Sequence, residues 1–379
     1  MGKKILYVYG GLYAPNGMSA IISQKVNYLA ENTDFDIYIS LTERSELPHY
    51  YKLSHKVKWV NFDINFDELD IMPLYKKVWY YWWKQKQFKR KLSVYMMKIR
   101  PDISVSICRR EVNFLTKIND GSKKIAEIHF GRTFYRKLDV KCFPGFINKI
   151  VSKIWMKGLV NNLKLMDCFV VLTHEDMRNW KELSNVQVIP NFISVLPSDI
   201  SDLKSKRVIT AGRYSYEKGY DRLIKVWELV SKTHPDWQMD IFGTGDNHYY
   251  QNLANNAGLS DSLHCHTATS NIYDEFSKSS IFVLTSYYEG FGLVILEAMA
   301  SGLPVVSFAC PYGPRELIRN EENGYCIDDG DIQQMANTIV YLIEHPNVRS
   351  FISENALCFS SKYEKSIIMQ KWVDLFNGI

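Results

Sequence analysis

Short apolar runs alternate along this chain with longer stretches whose apolar positions recur at helical spacing, the pattern of a parallel α/β architecture. Ile5–Tyr9 reads as a buried first strand ending at Gly10-Gly11, and Met18, Ile21, Ile22, Val26 and Leu29 then follow a helical period. Phe35–Leu41, Val57–Phe62, Ile103–Ile107, Ile125–Ile128, Cys168–Leu172 and Val186–Ile189 read as further strands before Pro190-Asn191. A polar stretch from Ser194 to Lys206, containing Pro197, reads as a linker exit. The pattern then restarts. Strands are expected at Val208–Thr210, Met239–Phe242, Ser262–Cys265, Ile281–Leu284 and Val305–Phe308. Helices are expected at Tyr220–Thr233, around Ile272–Lys278, through Glu297–Ala300, after an N-cap at Asp331, and from about Lys362 to Phe376.

Two Rossmann-like, doubly wound halves follow from this reading, with strand ends facing a common cleft where open α/β sheets take their ligands. The 379 residues are enough for two domains of ordinary size. Charge divides along the same line. Residues 1–190 hold 31 basic and 18 acidic side chains, so 31 − 18 gives +13; residues 191–379 hold 15 and 23, so 15 − 23 gives −8. The net of +5 conceals two different surfaces. Hydrophobic residues at 46% exclude a disordered chain, and no apolar run approaches a membrane span. The apolar part of the N-terminus is too short for a signal peptide. Seven cysteines without a C-x-x-C argue against a disulfide framework or zinc ribbon and favour a reducing cytoplasm.

The densest candidate chemistry lies in Ser286-Tyr287-Tyr288-Glu289-Gly290-Phe291-Gly292-Leu293-Val294-Ile295-Leu296-Glu297. Glycines opening a helix let backbone N–H groups approach an anion, and the helix dipole favours negative charge there. Glu297 lies two turns into that helix, placed to accept hydrogen bonds from sugar hydroxyls. A strand–turn–helix with two surface glutamates is the plainer alternative. Upstream, Gly212-Arg213-Tyr214-Ser215-Tyr216-Glu217-Lys218-Gly219 puts two cations past a strand end, an arrangement suited to a diphosphate or to a solvated basic turn. His264-Cys265-His266 places two histidines on one strand face without a third ligand nearby, and Gly243-Thr244-Gly245 lacks the third glycine of a dinucleotide fingerprint. Asp34-Phe35-Asp36 reads as turn chemistry rather than a metal-binding D-x-D.

In this order, with Phe242-Gly243-Thr244-Gly245, Ser301-Gly302-Leu303-Pro304-Val305-Val306 and Asn323-Gly324, these loops resemble the retaining nucleotide-sugar glycosyltransferases of family 4 (glycosyl transferases group 1), which have the GT-B fold. The resemblance is close from Val208 to about Ile327 and looser in the first half. It implies an acceptor-binding domain at 1–191, rejoined by a C-terminal helix at about 363–379, and a donor domain at 192–362. It implies that Glu297 binds ribose, Glu289 the donor sugar, and Arg213 and Lys218 the departing diphosphate. Phe291, Gly292 and Leu293 would hold sugar and phosphate through their backbone, and Gly243 and Gly17 would border the nucleotide and diphosphate. His129, in Glu127-Ile128-His129-Phe130-Gly131, matches the family's histidine near the anomeric carbon, and a satisfied structural histidine is the plainer alternative. Asn191 matches the hinge asparagine, but Phe192 stands where the family has glycine. No metal and no other cofactor is expected, because Arg213, Lys218 and helix N-termini supply positive charge to the leaving group. The donor is expected to be a UDP-sugar, and the acceptor a lipid-linked or polysaccharide glycan.

Residues 71–100 carry nine Lys/Arg and no acid, interleaved with Trp79, Tyr80, Tyr81, Trp82, Trp83 and Phe88. A second basic stretch, 132–157, holds Phe134, Tyr135, Phe143, Phe146, Ile147, Ile150, Ile154 and Trp155. Tryptophan and tyrosine settle at lipid headgroups, and lysines attract anionic lipid, so stretches 75–100 and 132–157 are expected to dock on an anionic membrane surface at the inner face of the cell membrane. The plainer alternative is that the aromatics pack the domain's own core. Basic charge with aromatics also suits polynucleotide binding, but that leaves Glu289, Glu297 and the glycine loops unexplained. A nucleotide-sugar epimerase of similar fold is the enzyme alternative.

Overall fold

The computed structural model describes residues 2–14, 16–135 and 145–379, apart from the side chain of Leu74. Phe143 and the cations Arg136, Lys137 and Lys141 of the second basic stretch therefore lie outside the described residues. The chain divides into two compact units, Met1–Pro190 with Ile368–Ile379, and Asn191–Ile367.

In the first unit, β1 (Lys4–Val8), β2 (Asp36–Leu41), β3 (Lys58–Asn61), β4 (Ile103–Ser106), β5 (Lys123–Glu127), β6 (Cys168–Val171) and β7 (Val186–Val188) form one parallel sheet in the order β3-β2-β1-β4-β5-β6-β7. The second unit repeats the scheme. Its β8 (Arg207–Ala211), β9 (Gln238–Gly243), β10 (Leu263–Thr267), β11 (Ile281–Leu284), β12 (Val305–Phe308) and β13 (Gly324–Ile327) lie in the order β10-β9-β8-β11-β12-β13. Every residue of β4, β6, β11 and β12 is buried, as expected of parallel strands covered on both faces. In both sheets the strand order reverses beside the first strand, between β1 and β4 and between β8 and β11. The carboxyl ends at such a reversal are the natural ligand positions of the fold.

The helices follow the sequence chemistry. Gly17–Asn32 buries Ile21, Ile22, Val26 and Leu29, and its N-cap Asn16 accepts from the Ser19 amide. Tyr220–Thr233 buries Leu223, Ile224, Trp227 and Val230 against the second sheet, and Asp331 caps Ile332–Glu344 by accepting from the Gln334 amide.

Three features depart from the sequence pattern. The polar stretch after Ser194 is not a free linker, because Ser201 and Leu203 are buried in the second unit. Ser201 Oγ donates to the Ser279 carbonyl, and Arg349 donates to the Leu203 carbonyl at 2.9 Å. The basic aromatic stretch is one 26-residue helix, Leu74–Ile99. The last helix starts at Lys365 rather than near Lys362, since Ser361–Tyr363 forms a separate turn and Glu364 is extended.

Candidate functional site

In the second unit the turn after β8 and the loop after β11 meet at the strand-order reversal. Gly219 lies at φ +64°, and a Cβ there would stand 2.2 Å from the Thr285 carbonyl oxygen, so only glycine lets the two segments touch. Thr285 Oγ1 donates to the Lys218 carbonyl at 3.2 Å, and the Tyr287 amide to the Glu217 carbonyl at 2.8 Å. This places Lys218 Nζ 2.7 Å from Glu289 Oε1, which also accepts from Ser286 Oγ at 2.6 Å. Both side chains of the pair are largely shielded, at 16% and 11% exposure. The two cations expected to work together differ in setting. Arg213 is 70% exposed and pairs with Glu217 at 2.7 Å.

Sequence reasoning missed Arg222. It is buried, donates to the carbonyls of Thr285 and Ser286, and reaches Asp329 at 2.8 Å. Its guanidinium also lies over the rings of Tyr287 and Phe308. Following Asp221 at a helix start, it reads as an ordinary surface cation. In the fold it braces the loop that carries Glu289.

A third loop completes the arrangement. The Glu289 amide donates to the Pro311 carbonyl at 2.7 Å, and the Tyr312 amide returns to the Glu289 carbonyl at 3.1 Å. A Cβ on Gly313 would fall 1.9 Å from the Phe291 carbonyl oxygen. Phe291 is buried, Gly292 at φ +79° caps the helix Leu293–Ala300, and half-buried Leu293 opens that helix. Gly243 ends β9 against the Gly212 carbonyl, where a Cβ would stand at 1.8 Å. Glu297 is half-buried on the same helix, and its carboxylate has no hydrogen-bond partner among the described residues. Burial pushes its pKa up to about 7, with the Lys218 charge opposing the rise.

In the first unit His129 follows β5 and is buried, with Nε2 3.0 Å from Glu127 Oε1. The same carboxylate oxygen holds the ammonium of Lys25, from the helix Gly17–Asn32. Burial alone would raise the Glu127 carboxyl, but the charges of Lys25 and His129 outweigh it and hold the group at about 2. Gly17 starts its helix in the open, and a Cβ there would meet nothing within 4 Å.

The remaining histidine pair is structural. His264 bonds Gln238 at 3.0 Å, and His266 bonds Asp240 across the β9–β10 pairing. Among the described residues no group of three His, Cys, Asp or Glu side chains is placed to hold a metal ion.

Residues 197–357 match the family model described as glycosyl transferases group 1. An uncharacterised glycosyltransferase of Haemophilus influenzae is 32% identical over 211 residues, covering 54% of this chain and 60% of that protein. The poly(ribitol-phosphate) alpha-N-acetylglucosaminyltransferase of Staphylococcus aureus is 28% identical over 304 residues, covering 78% of this chain and 60% of that protein. The chain thus spans about 60% of the length of these two curated relatives. Among solved structures, the Anabaena HepE protein in complex with UDP-glucose superposes with a TM-score of 0.71 at 17% identity, over 99% of this chain and all of that one. The fold is GT-B, as the loops implied.

Proposed function

From the glycosyl transferases group 1 family, whose model the second unit carries, we propose that this chain is a retaining glycosyltransferase. It moves a hexose from a nucleotide diphosphate sugar, a UDP-sugar, to a lipid-linked or polysaccharide acceptor in cell-surface glycan synthesis. The observation that carries this reading is the shielded Lys218–Glu289 pair at the strand-order reversal, beside a helix bearing the unpaired carboxylate of Glu297. The named relative makes an alpha linkage, and the solved neighbour holds UDP-glucose, which supports retention and a uridine donor.

The geometry supports the following chemistry. Cleaving the bond between the anomeric carbon and the phosphate oxygen leaves an oxocarbenium-like sugar and a diphosphate that gains negative charge. Lys218, already fixed by Glu289 and screened from water, stabilises that charge without reorganising. Arg213 on its exposed turn reaches the outer phosphate oxygens. Glu297, with no protein partner, accepts from the two ribose hydroxyls, while Glu289 contacts the sugar ring. His129 acts at the anomeric carbon. No metal enters this scheme. Thermal-shift screening against UDP-, GDP- and ADP-sugars is the direct test, because a ligand that binds the native state raises its apparent stability. A UDP-sugar should raise Tm, and no response to any nucleotide sugar would sink the reading. Product analysis with the donor alone separates transfer from epimerisation.

The membrane reading also gains support. Phe88, Leu92 and Met96 form the buried stripe of Leu74–Ile99, but Tyr75, Trp79, Trp82 and Trp83 are exposed, Trp79 at 61%. On the helix Gly145–Leu163, Phe146, Ile150, Ile154 and Trp155 are exposed as well. The aromatics therefore do not all pack the core of their own unit. Among the described residues no helix is long and apolar enough to cross a membrane, so the contact proposed is peripheral. Flotation with vesicles should require anionic lipid; binding to neutral vesicles only, or to none, argues against docking.

A further inference from the structure

We infer that Glu127 and Lys25 are positioning residues for His129: a buried carboxylate, anchored by a buried ammonium, fixes the imidazole in its working orientation. The inference rests on the reading in which His129 acts at the donor sugar. It goes beyond that reading in assigning two residues that touch neither substrate.

Three buried charged or polar side chains lie in close contact here. Glu127 is the last residue of β5, and His129 lies two positions on, the spacing that keeps side chains to one side of an extended chain. The Ile128 amide still bonds the Val170 carbonyl at 3.1 Å, so the backbone remains held against β6 at this point. Glu127 Oε1 stands 3.0 Å from His129 Nε2, an ion-pair contact off the line of a hydrogen bond, and also meets Lys25 Nζ. Lys25 is 1% exposed, and its ammonium lies 3.8 Å from the ring centroid of Trp372, on the C-terminal helix Lys365–Gly378. Tyr7 of β1 is fully buried nearby, and burial together with the Glu127 charge pushes its hydroxyl pKa up.

Stability alone is a weak reason for this arrangement. A buried ion pair loses most of its Coulomb gain to desolvation, and apolar residues of the same volume often do as well. An ion pair placed two residues from a functional histidine has a different use. A carboxylate at a ring nitrogen selects the tautomer and limits rotation, and Lys25 keeps that carboxylate ionised where burial would otherwise neutralise it. The helix that opens at Gly17 thus carries a candidate diphosphate contact at one end and the anchor of His129 two turns later.

A double-mutant cycle tests this with the full chain. Lys25→Met with Glu127→Gln removes both charges together and avoids leaving either one buried alone. The pair of changes should lower kcat by about tenfold or more, while the donor KM and the donor-induced rise in Tm stay within about twofold. In a His129→Ala background the same changes should cause no further loss, since the side chain they position is gone. Glu127→Asp is the second variant. It keeps a charge for Lys25 but withdraws the oxygen from the ring, and the same cycle applies if the double variant does not fold. Full kcat in the paired variant beside a crippled His129→Ala overturns the inference alone. So does an additive loss in the His129→Ala background. A wild-type rate in His129→Ala overturns the role of His129 and this inference with it.

Discussion

Glu297 is a carboxylate whose charge changes near neutral pH. Its carboxyl is pushed up to about 7, so it is partly protonated at neutral pH and fully an acceptor only above it. A carboxylate accepts from two hydroxyls better than a carboxylic acid does. Donor KM should therefore fall as pH rises through about 7, and Glu297→Gln should flatten that dependence. Steady-state kinetics from pH 6 to 8.5 check it, and an unchanged slope in the variant counts against the ribose contact. Stability responds in the opposite sense. The raised folded pKa means that the native state holds a proton the unfolded chain has lost, so this group's contribution to stability falls as pH rises from the ordinary carboxylate range to about 7. On the proposed role of Lys218 at the leaving group, Lys218→Ala should lower kcat by about 10²–10³-fold with a smaller effect on KM. Near-normal transfer by both Glu297→Ala and Lys218→Ala would sink the assignment. Lys25 and Arg222 were invisible in the sequence for a common reason. A single cation on an amphipathic helix reads as solvated, and only the tertiary fold shows what covers it.

Among the elements, two glycines make opposite predictions. Gly313 has no room for a methyl group, because a Cβ would overlap the Phe291 carbonyl. Gly313→Ala should displace the loops that hold Glu289 and lower both Tm and activity. Gly17 has open space around it at a helix start, so Gly17→Ala should leave Tm unchanged or slightly higher. If its backbone approaches the diphosphate, turnover should fall nonetheless. Measuring Tm and kcat together on the two variants separates a packing glycine from a ligand-facing one, and wild-type kcat in Gly17→Ala removes Gly17 from the site. Element by element, buried parallel strands were the most legible part of the fold, since apolar runs such as Ile281–Leu284 and Val305–Phe308 are bounded by turn residues. The strand β13, Gly324–Ile327, escaped because Gly-Tyr-Cys-Ile has no run or alternation to mark it. The helix Leu74–Ile99 escaped because consecutive aromatics on several faces obscure the 3.6-residue period.

For the molecule as a whole, the division of charge coincides with a division of surface character. The basic unit exposes tryptophans and tyrosines on Leu74–Ile99, whereas the site in the acidic unit is built from loops around Lys218 and Glu289. If those aromatics serve membrane docking, Trp79→Ser with Trp82→Ser should weaken vesicle binding and transfer to a lipid-linked acceptor. Transfer to a short soluble acceptor should remain within about twofold, because both exposed side chains can change without opening the core. Equal loss on both acceptors would mean that the helix supports the unit itself. The family resemblance was legible in the order of the second-unit loops. The way those loops lock together was not, because it depends on backbone contacts between segments far apart in sequence.

That locking has a consequence for dynamics. The amides of Tyr287, Glu289 and Tyr312 each bond across to another loop, and Arg222 ties the carbonyls of Thr285 and Ser286 to its own helix. No one of these loops can open without releasing bonds in its neighbours. Their amide protons should exchange with solvent slowly and as a single cooperative group, even before any nucleotide is added. If the proposed donor binds around Lys218 and Glu289, it meets loops that are already ordered, and little ordering entropy should be lost on binding.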